Sequence, residues 1–222
     1  MIDFAIPRVH VINNFVPPNY QDYLYKTYTT KKKWFLEGLD LTTSYPSKEH
    51  KEKFIDPDNP VNNNIEENYQ FTLPLLNTDS EVFDIENHNP LYLLHYLQLH
   101  SNYEYDILPI RCKLNFQTPV LSFKETCHNE PHTDLSNYHS DHYSMVYYLN
   151  DSDGDTIIFN ETLKDTPIKN FTIDKKITPK KGTAVIFPGY HFHCGTTPRT
   201  SQARIVANFN FRIRPSITNH QI

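Results

Sequence analysis

Residues 203–211 have the sequence Ala-Arg-Ile-Val-Ala-Asn-Phe-Asn-Phe, in which two kinds of side chain alternate. Successive side chains of a β-strand point to opposite faces of the sheet, so this pattern predicts a strand with two different faces. The mostly polar face comprises Arg204, Val206, Asn208 and Asn210, and the apolar face comprises Ile205, Ala207, Phe209 and Phe211. The apolar face predicts a hydrophobic core, and the polar face predicts a wet or ligand-filled cavity on the other side.

Arg204 on the polar face is suited to a carboxylate ligand, because a guanidinium group can donate two parallel hydrogen bonds to a carboxylate. The alternative is an ordinary half-exposed strand with a surface arginine. The strand by itself does not decide between the two, and other segments are needed.

The rest of the C-terminal half also has the sequence pattern of β-strands. Turn-forming sequences, such as those at residues 151–154 and 181–182, separate segments that are rich in β-branched and aromatic residues. The predicted strands cover residues 110–116, 142–149, 156–159, 183–187 and 202–214. Several short strands at close intervals predict an all-β barrel or sandwich, and the 15 Tyr and 14 Phe of the chain favour strands as well.

The N-terminal half has a different pattern. A short strand is predicted at residues 9–12. A helix is predicted to begin at the Pro17-Pro18 pair, because proline suits the first turn of a helix, and to run towards Trp34-Phe35. A second helix is predicted at residues 90–99 from the spacing of its leucines. Residues 41–68 are polar and rich in Pro and Asn, which is typical of a long loop and predicts a lid. We therefore expect one domain over residues 1–222, with helical support and a lid in 1–104 and a β core in 105–222.

The composition narrows the classes of function. Three cysteines at unrelated spacings predict neither a disulfide framework nor a structural zinc site, and they favour a reducing compartment. The net charge of −5 does not indicate the generally basic surface of a protein that binds nucleic acid. No stretch is long and apolar enough to span a membrane, and no secretory signal pattern is visible. The expected location is the cytoplasm of a free-living or phage-infected microbial cell.

Two segments supply candidate metal ligands. In residues 131–134, Pro-His-Thr-Asp, an imidazole and a carboxylate stand two positions apart and therefore on one face of an extended backbone. The same His-x-Asp pattern occurs again at residues 139–141. Residues 189–195, Gly-Tyr-His-Phe-His-Cys-Gly, supply a further histidine at either His191 or His193. Two histidines and one carboxylate leave open positions on an octahedral metal, as in non-haem iron(II) oxygenases.

In this order, the segments resemble the 2-oxoglutarate/Fe(II)-dependent dioxygenase superfamily and, within it, the prolyl 4-hydroxylase-like branch with its phage and marine-microbial members. The resemblance extends from about Arg111 to Arg212. After the His-x-Asp pair it comprises Tyr-Tyr-Leu-Asn-Asp at 147–151, Gly-Asp-Thr-Ile-Ile-Phe at 154–159, His-Cys-Gly at 193–195 and Arg-Ile-Val at 204–206. It implies a mainly β fold, a double-stranded β-helix (jelly roll), with supporting N-terminal α-helices.

The resemblance also implies roles for six residues. The family's distal histidine precedes its oxoglutarate-binding arginine by about ten or eleven residues, which favours His193 over His191. A loop commonly separates the His-x-Asp pair from the next strand, which favours the pair at 132–134 over the pair at 139–141. The implied metal ligands, which are also the catalytic residues, are His132, Asp134 and His193. The implied cosubstrate-binding residues are Arg204, Tyr148 and Asn208.

The implied activity is that of an oxygenase that uses Fe(II), 2-oxoglutarate and O2 to hydroxylate a C–H bond, with release of succinate and CO2 and with ascorbate as a candidate reductant. The carboxylate of Asp134 favours hydroxylation over halogenation, because related halogenases lack it. Peptidyl proline is the leading substrate among peptides and small molecules, and residues 41–80 and 161–178 are expected to select it. Three alternatives stay open: a non-catalytic β-helix module for binding or for a phage particle, a nucleic-acid demethylase of the same superfamily, and a cupin-like enzyme with another metal.

Overall fold

The computed structural model describes residues 1–30, 35–37, 70–78, 82–83, 91–135 and 142–216. This part of the chain contains two α-helices, α1 (Pro18–Thr30) and α2 (Tyr92–His100), and a 3-10 turn at Leu163–Asp165. Its strands are β1 (His10–Ile12), β2 (Phe35–Glu37), β3 (Gln70–Asn77), β4 (Val82–Phe83), β5 (Tyr105–Gln117), β6 (His142–Tyr148), β7 (Thr156–Thr162), β8 (Ile173–Ile177), β9 (Ala184–Pro188), β10 (His191–Gly195) and β11 (Arg204–Pro215).

The strands form two antiparallel sheets. The major sheet has the order β1-β9-β6-β11-β5-β3-β2, with β4 paired to β3, and the minor sheet has the order β10-β7-β8. Non-consecutive strands lie side by side in both sheets, as the crossing connections of a jelly roll require. The predicted fold, a mainly β double-stranded β-helix with supporting N-terminal helices, is confirmed.

Hydrophobic clusters fix the position of each layer. The largest cluster packs the helices, through residues such as Leu24 and Leu97, against the outer face of the major sheet. A second cluster, which includes Ile158 and Phe187, lies between the two sheets. A third covers the other face of the minor sheet around Phe159. Each large side chain that is fully buried contributes about 1.5–3 kcal/mol. The helices therefore support the outer face of the major sheet, and its inner face carries both the second cluster and the polar residues of the site.

Strand β11 divides its side chains as the sequence predicts. Its apolar row belongs to the cluster under the helices and comprises Ile205, Ala207, Phe209 and Phe211. Its other row lies on the inner face, where Arg204, Asn208 and Asn210 are buried. Strand β5 runs antiparallel beside it, and three inner-face pairs result: Arg204 with Gln117, Asn208 with Lys113, and Asn210 with Arg111. Because opposite residues share a face, two polar rows lie next to each other.

Helix α1 begins directly after Pro17, as predicted, but the prediction that it runs towards Phe35 is wrong: it ends at Thr30, and Phe35 begins strand β2, which pairs with β3. Its buried residues are Gln21, Leu24 and Tyr28, whose spacing places them on one side of the helix. The amide of Gln21 donates a hydrogen bond to the carbonyl oxygen of Val16 at 2.8 Å. The same side chain packs on Gly182, which has a φ of 79° and where an added Cβ would clash with it. The start of α1 is therefore tied to the turn that leads into β9.

The second predicted helix is confirmed as α2, which buries Leu93, Leu94 and Leu97. It ends at Ser101, whose hydroxyl donates to the carbonyl oxygen of Gln98 at 3.0 Å. Positive φ angles at Asn102 and Tyr103 then turn the chain out of the helix towards β5.

Strands β3, β8 and β10 were not predicted. Strand β3 has consecutive buried leucines around Pro74, so it shows no alternation. Four of the five residues of β8 are exposed, which removes the hydrophobic signal of a strand. Strand β10 is only five residues long, and its two histidines drew attention as ligands rather than as part of a sheet.

Other sequence predictions have mixed outcomes. The lid predicted at residues 41–68 and the second His-x-Asp pair at residues 139–141 lie outside the described residues. All three cysteines are free and buried. Neither described helix has the length and apolar character that crossing a membrane would require.

Candidate metal and cosubstrate site

Three predicted ligands meet on the inner side of the jelly roll. Main-chain hydrogen bonds in both directions join His132 and His193, with nitrogen-to-oxygen distances of 3.0 and 2.9 Å. This bridge places the extended segment that carries His132 and Asp134 against strand β10. One ligand atom from each of His132, Asp134 and His193 lies within 4.8 Å of the other two. The sequence placed these residues about 60 positions apart, and the fold brings them to one point.

Backbone carbonyl groups orient both imidazole rings. Nδ1 of His132 lies 2.9 Å from the carbonyl oxygen of Glu130, and Nδ1 of His193 lies 3.3 Å from that of His191. A carbonyl oxygen can only accept a hydrogen bond, so Nδ1 is the nitrogen that carries the proton in a neutral ring, and Nε2 is then the nitrogen that can bind a metal. This is the orientation in which an outer hydrogen bond prepares a histidine for metal binding.

Burial keeps His132 neutral. Burial and the neighbouring His193 together lower the pKa of His132 to about 4, against the opposing effect of Asp134. At neutral pH the ring is therefore unprotonated, as a metal ligand must be.

The carboxylate of Asp134 is buried and strongly hydrogen-bonded. Its Oδ1 accepts bonds from Nη2 of Arg111 at 2.9 Å and from Nδ2 of Asn208 at 3.2 Å. Its Oδ2 accepts bonds from Oγ of Ser144 at 3.0 Å and from Nδ2 of Asn210 at 2.9 Å. Burial alone would raise the pKa of Asp134, but the interactions with His193 and Arg111 outweigh it and hold the pKa well below its usual range.

The donor set fits a divalent transition metal. Two imidazole nitrogens and one carboxylate oxygen face one point, and Oδ2 of Asp134 lies 3.5 Å from Nε2 of His193. Iron(II) with two histidines and one carboxylate on one face keeps open positions for further ligands. A closed structural zinc site would need a fourth protein ligand, and no fourth His, Cys, Asp or Glu joins the three among the described residues.

Arg204 lies deeper between the sheets and is 6% exposed. Its Nε donates to the carbonyl oxygen of Gly154 at 2.8 Å, and its Nη2 donates to Oγ1 of Thr156 at 2.9 Å. Its Nη1 lies 3.4 Å from Oε1 of Gln117. Burial lowers the pKa of this guanidinium, and no described carboxylate forms an ion pair with it. A buried cation without an anion costs several kcal/mol, so the site is suited to an anionic ligand.

Gly154 makes room for Arg204. A Cβ at this position would lie 2.7 Å from the carbonyl oxygen of Thr196 and 2.8 Å from Cδ of Arg204. Both distances are shorter than a normal contact, so only glycine allows the arginine to cross here. The glycine of the Gly-Asp-Thr-Ile-Ile-Phe segment thus has a steric role.

Tyr148 and Asn208, the other predicted cosubstrate residues, have different surroundings. The Tyr148 hydroxyl is buried without a regular hydrogen bond to a described residue, and burial raises its pKa to about 12, although Arg204 and Thr156 oppose the rise. It stays protonated and can donate to a ligand beside Arg204. Asn208 instead directs its Nδ2 towards Asp134, and its Oδ1 is buried without a partner. A cosubstrate contact of Asn208 stays a prediction.

His191 lies outside the triad. Its Nδ1 is 3.0 Å from the carbonyl oxygen of Phe159. The residue lines a separate cavity of about 730 Å³ between β1 and β8. Of the two candidate histidines on β10, the structure brings His193 to the other ligands and turns His191 elsewhere.

Sequence reasoning missed two residues of this site, Arg111 and Ser144. Both contact Asp134, and both lie on strands of the major sheet, one before and one after it in the chain. A signal for Arg111 exists in the sequence: residues 111–117 alternate polar and apolar side chains in the same way as β11. A second polar row beside the first could have been predicted from it.

Comparison with known proteins supports the same family. The family model described as the 2OG-Fe(II) oxygenase superfamily matches residues 119–212. This range contains all six predicted site residues and leaves Arg111 just outside. Comparison with curated protein sequences gives no match.

Several solved structures share the fold. A 2OG-Fe(II) oxygenase family oxidoreductase from Burkholderia pseudomallei has a TM-score of 0.57 and 13% identity, with 92% of this chain and 84% of that chain covered. A prolyl hydroxylase from Trichoplax adhaerens, in complex with a peptide fragment of a hypoxia inducible factor, has a TM-score of 0.57 and 13% identity, with coverage of 94% and 85%. A Pseudomonas putida prolyl-4-hydroxylase has a TM-score of 0.52 and 13% identity over 96% of both chains.

Proposed function

We propose that this chain, whose residues 119–212 match the family model of the 2OG-Fe(II) oxygenase superfamily, is a hydroxylase in which His132, Asp134 and His193 hold Fe(II). Arg204 binds the distal carboxylate of 2-oxoglutarate, and Tyr148 donates a hydrogen bond beside it. The observation that carries the proposal is the pairing of two features in one interior: three candidate metal donors within 4.8 Å of one another, and a buried guanidinium that forms no ion pair with a described carboxylate.

The chain's own residues prepare the site in three ways. The carbonyl oxygens of Glu130 and His191 hold the protons of the imidazoles on Nδ1. Four donors keep Asp134 ionised and fixed. The apolar cluster between the sheets excludes water around Arg204, which strengthens an ion pair there. The metal, when bound, supplies the activation of O2, and oxidative decarboxylation of 2-oxoglutarate gives succinate and CO2.

We propose a peptidyl proline as the substrate. Two prolyl hydroxylases share the fold over most of their length, and the one from Trichoplax adhaerens is in complex with a peptide fragment. The intact Asp134 favours hydroxylation, because the carboxylate occupies the position that a halide would need. Other peptides and small molecules of similar shape are the competing substrates, since a shared fold does not fix the substrate.

Anaerobic titration with Fe(II) and 2-oxoglutarate tests the cofactor assignment. Wild-type protein should develop a visible charge-transfer band that requires both additions. The band should disappear in His132→Ala and persist in His191→Ala, a matched change on a histidine outside the triad. A folded wild-type protein without the band would contradict the proposal and favour a binding module or another metal.

The substrate is tested separately. Under air, proline-containing peptides should increase the formation of succinate and gain one oxygen atom by mass spectrometry. The matched control replaces the proline of each peptide by alanine. If succinate forms at the same rate with both peptides and neither gains oxygen, the oxygenase assignment stands and the peptidyl-proline assignment is wrong.

A further inference from the structure

The two oxygens of the Asp134 carboxylate have different hydrogen-bond donors. Oδ1 accepts from Arg111 and Asn208, whereas Oδ2 accepts from Ser144 and Asn210 and, at a longer 3.5 Å, from Asn208. Only Oδ1 accepts from an arginine, since Nη2 of Arg111 forms an ion pair with it at 2.9 Å. The two oxygens of this carboxylate are therefore not equivalent.

The side chain of Arg111 is itself fixed at two points. Besides its bond to Asp134, its Nε donates to Oδ1 of Asn210 at 2.9 Å. The amide of Asn210 then donates both to Oδ2 of Asp134 and to Oγ of Ser144 at 3.0 Å. The planar guanidinium thus closes a network over strands β5, β11 and β6, and its orientation follows from theirs.

The metal-facing oxygen can be identified from the distances. Oδ2 lies 3.5 Å from Nε2 of His193. Two ligands at right angles on one metal, with bonds of about 2.0–2.2 Å, stand about 3 Å apart. Oδ2 is therefore close to the separation expected for a shared metal, and Oδ1 is the oxygen that Arg111 holds.

We propose that Arg111 is a positioning residue of the metal site: it holds Oδ1 of Asp134 and so presents Oδ2 alone to the metal. This inference rests on the proposed function. Each oxygen accepts from two donors, but only Oδ1 holds an arginine, and a charge-assisted hydrogen bond is roughly twice as strong as a neutral one. The neutral donors on Oδ2, Ser144 and Asn210, therefore give way to a metal more readily than Arg111 does. Without Arg111, Oδ1 keeps a single donor, and the carboxylate becomes free to turn both oxygens to the metal. Monodentate binding leaves a position open for cosubstrate or O2, which bidentate binding would occupy.

The accessibility of the pair makes the test practical. The side chain of Arg111 is 23% exposed, against 3% for that of Asp134, so water can enter where a shorter side chain leaves space. Arg214 on β11 offers a matched control. Its Nε donates to Oδ2 of Asp106 on β5 at 2.9 Å, at the surface, where the two side chains are 59% and 32% exposed. Both arginines form a carboxylate pair, and only one of those pairs includes a residue of the triad.

The experiment is a Co(II) titration of the full chain, followed by the visible d–d spectrum of cobalt, on wild type, Arg111→Gln, Arg111→Lys and Arg214→Gln. Arg111→Gln should weaken Co(II) binding about 10–100-fold, as loss of an outer partner of a ligand commonly does, and should change the shape of the spectrum. Arg111→Lys keeps the charge but cannot bridge Asp134 and Asn210, so its affinity should fall between those of wild type and Arg111→Gln. Arg214→Gln should match wild type in both readouts.

The possible failures are distinguishable. If wild type does not bind Co(II), the proposed function itself is wrong. If wild type binds and folded Arg111→Gln has the same affinity and spectrum, the positioning role is wrong while the proposed function stands. Should Arg111→Gln fail to fold, Arg111→Lys decides, because affinity and spectrum equal to those of wild type would overturn the role.

Discussion

Replacing Arg204 by methionine should weaken the binding of 2-oxoglutarate and change the stability of the ligand-free protein only slightly. The substitution removes the donors to Gly154 and Thr156, and hydrogen bonds of a charged group contribute about 1.5–3 kcal/mol each. It also removes a buried cation that has no described carboxylate partner, and such a charge costs several kcal/mol. The two effects oppose each other, so the free energy of unfolding without ligand should change by less than about 2 kcal/mol.

The effect on 2-oxoglutarate is much larger. Truncating one partner of a buried charge pair costs about 2–5 kcal/mol, and about 2.7 kcal/mol corresponds to a 100-fold weaker Kd. Ligand at 100 times the wild-type Kd stabilises the protein by about 2.7 kcal/mol, whereas the same concentration stabilises the variant by about 0.4 kcal/mol. For a chain of this size, 1 kcal/mol corresponds to about 2–4 °C in Tm. The ligand-induced shift should therefore fall from roughly 5–11 °C to roughly 1 °C.

The assay is thermal unfolding under anaerobic conditions with Co(II), with and without 2-oxoglutarate. Arg214→Met, an exposed arginine on the same strand, should keep the full shift. A folded Arg204→Met protein that also keeps the full shift would refute the placement of the cosubstrate at Arg204.

Three further changes test other parts of the structure. Gly154→Ala should cost about 1–3 kcal/mol through overpacking and weaken 2-oxoglutarate binding in calorimetry, because the new Cβ displaces Arg204. Phe209→Ala should lower the free energy of unfolding in urea by about 3–5 kcal/mol, since Phe209 is 1% exposed. Burial lowers the pKa of His128 below its ordinary 6.5, so the folded state resists protonation that the unfolded state accepts. Its contribution to stability is full above about pH 6.5 and falls as the pH decreases towards the lowered pKa, and His128→Gln should flatten that part of a Tm-against-pH curve.

Each of these changes has its own control. Gly154→Ala should leave Co(II) affinity nearly unchanged, and unaltered 2-oxoglutarate binding would contradict the steric role of the glycine. Ile173→Ala, at a residue that is 53% exposed, should change stability by less than about 0.5 kcal/mol. If His128→Gln keeps the pH dependence of Tm that wild type shows, His128 is not its cause.

The sequence predicts the fold where the two sides of a strand meet different surroundings. Strand β11 alternates because Phe209 packs under the helices while Asn208 faces the site. Strand β8 is exposed along most of its length, so burial gives its sequence no pattern. The position of β3 depends on pairing with β5, more than 30 residues later in the chain, and local sequence does not encode such a pairing.

For the candidate site too, the sequence predicts what local residue types determine and not what pairing between distant strands determines. His132, Asp134, His193 and Arg204 could be selected because their residue types and spacing carry the chemistry, and the structure brings the first three together. The alternation of residues 111–117 could place Arg111 on a polar face, but its contact with Asp134 could not be predicted, because that contact depends on the register that sets Arg111 opposite Asn210. Register is a property of two distant strands, and it becomes visible only in the folded chain.

The register of β5 against β11 also determines which genetic changes this protein can tolerate. A substitution at Lys113 or Gln117 alters a single side chain on the inner face. Deletion of one codon between Arg111 and Gln117 would instead exchange the faces of part of the strand, because side chains alternate with a period of two. Leu114 would then face the polar row, and a charged residue would enter the core under the helices. Insertions and deletions in this strand should therefore be far more harmful than point mutations in it.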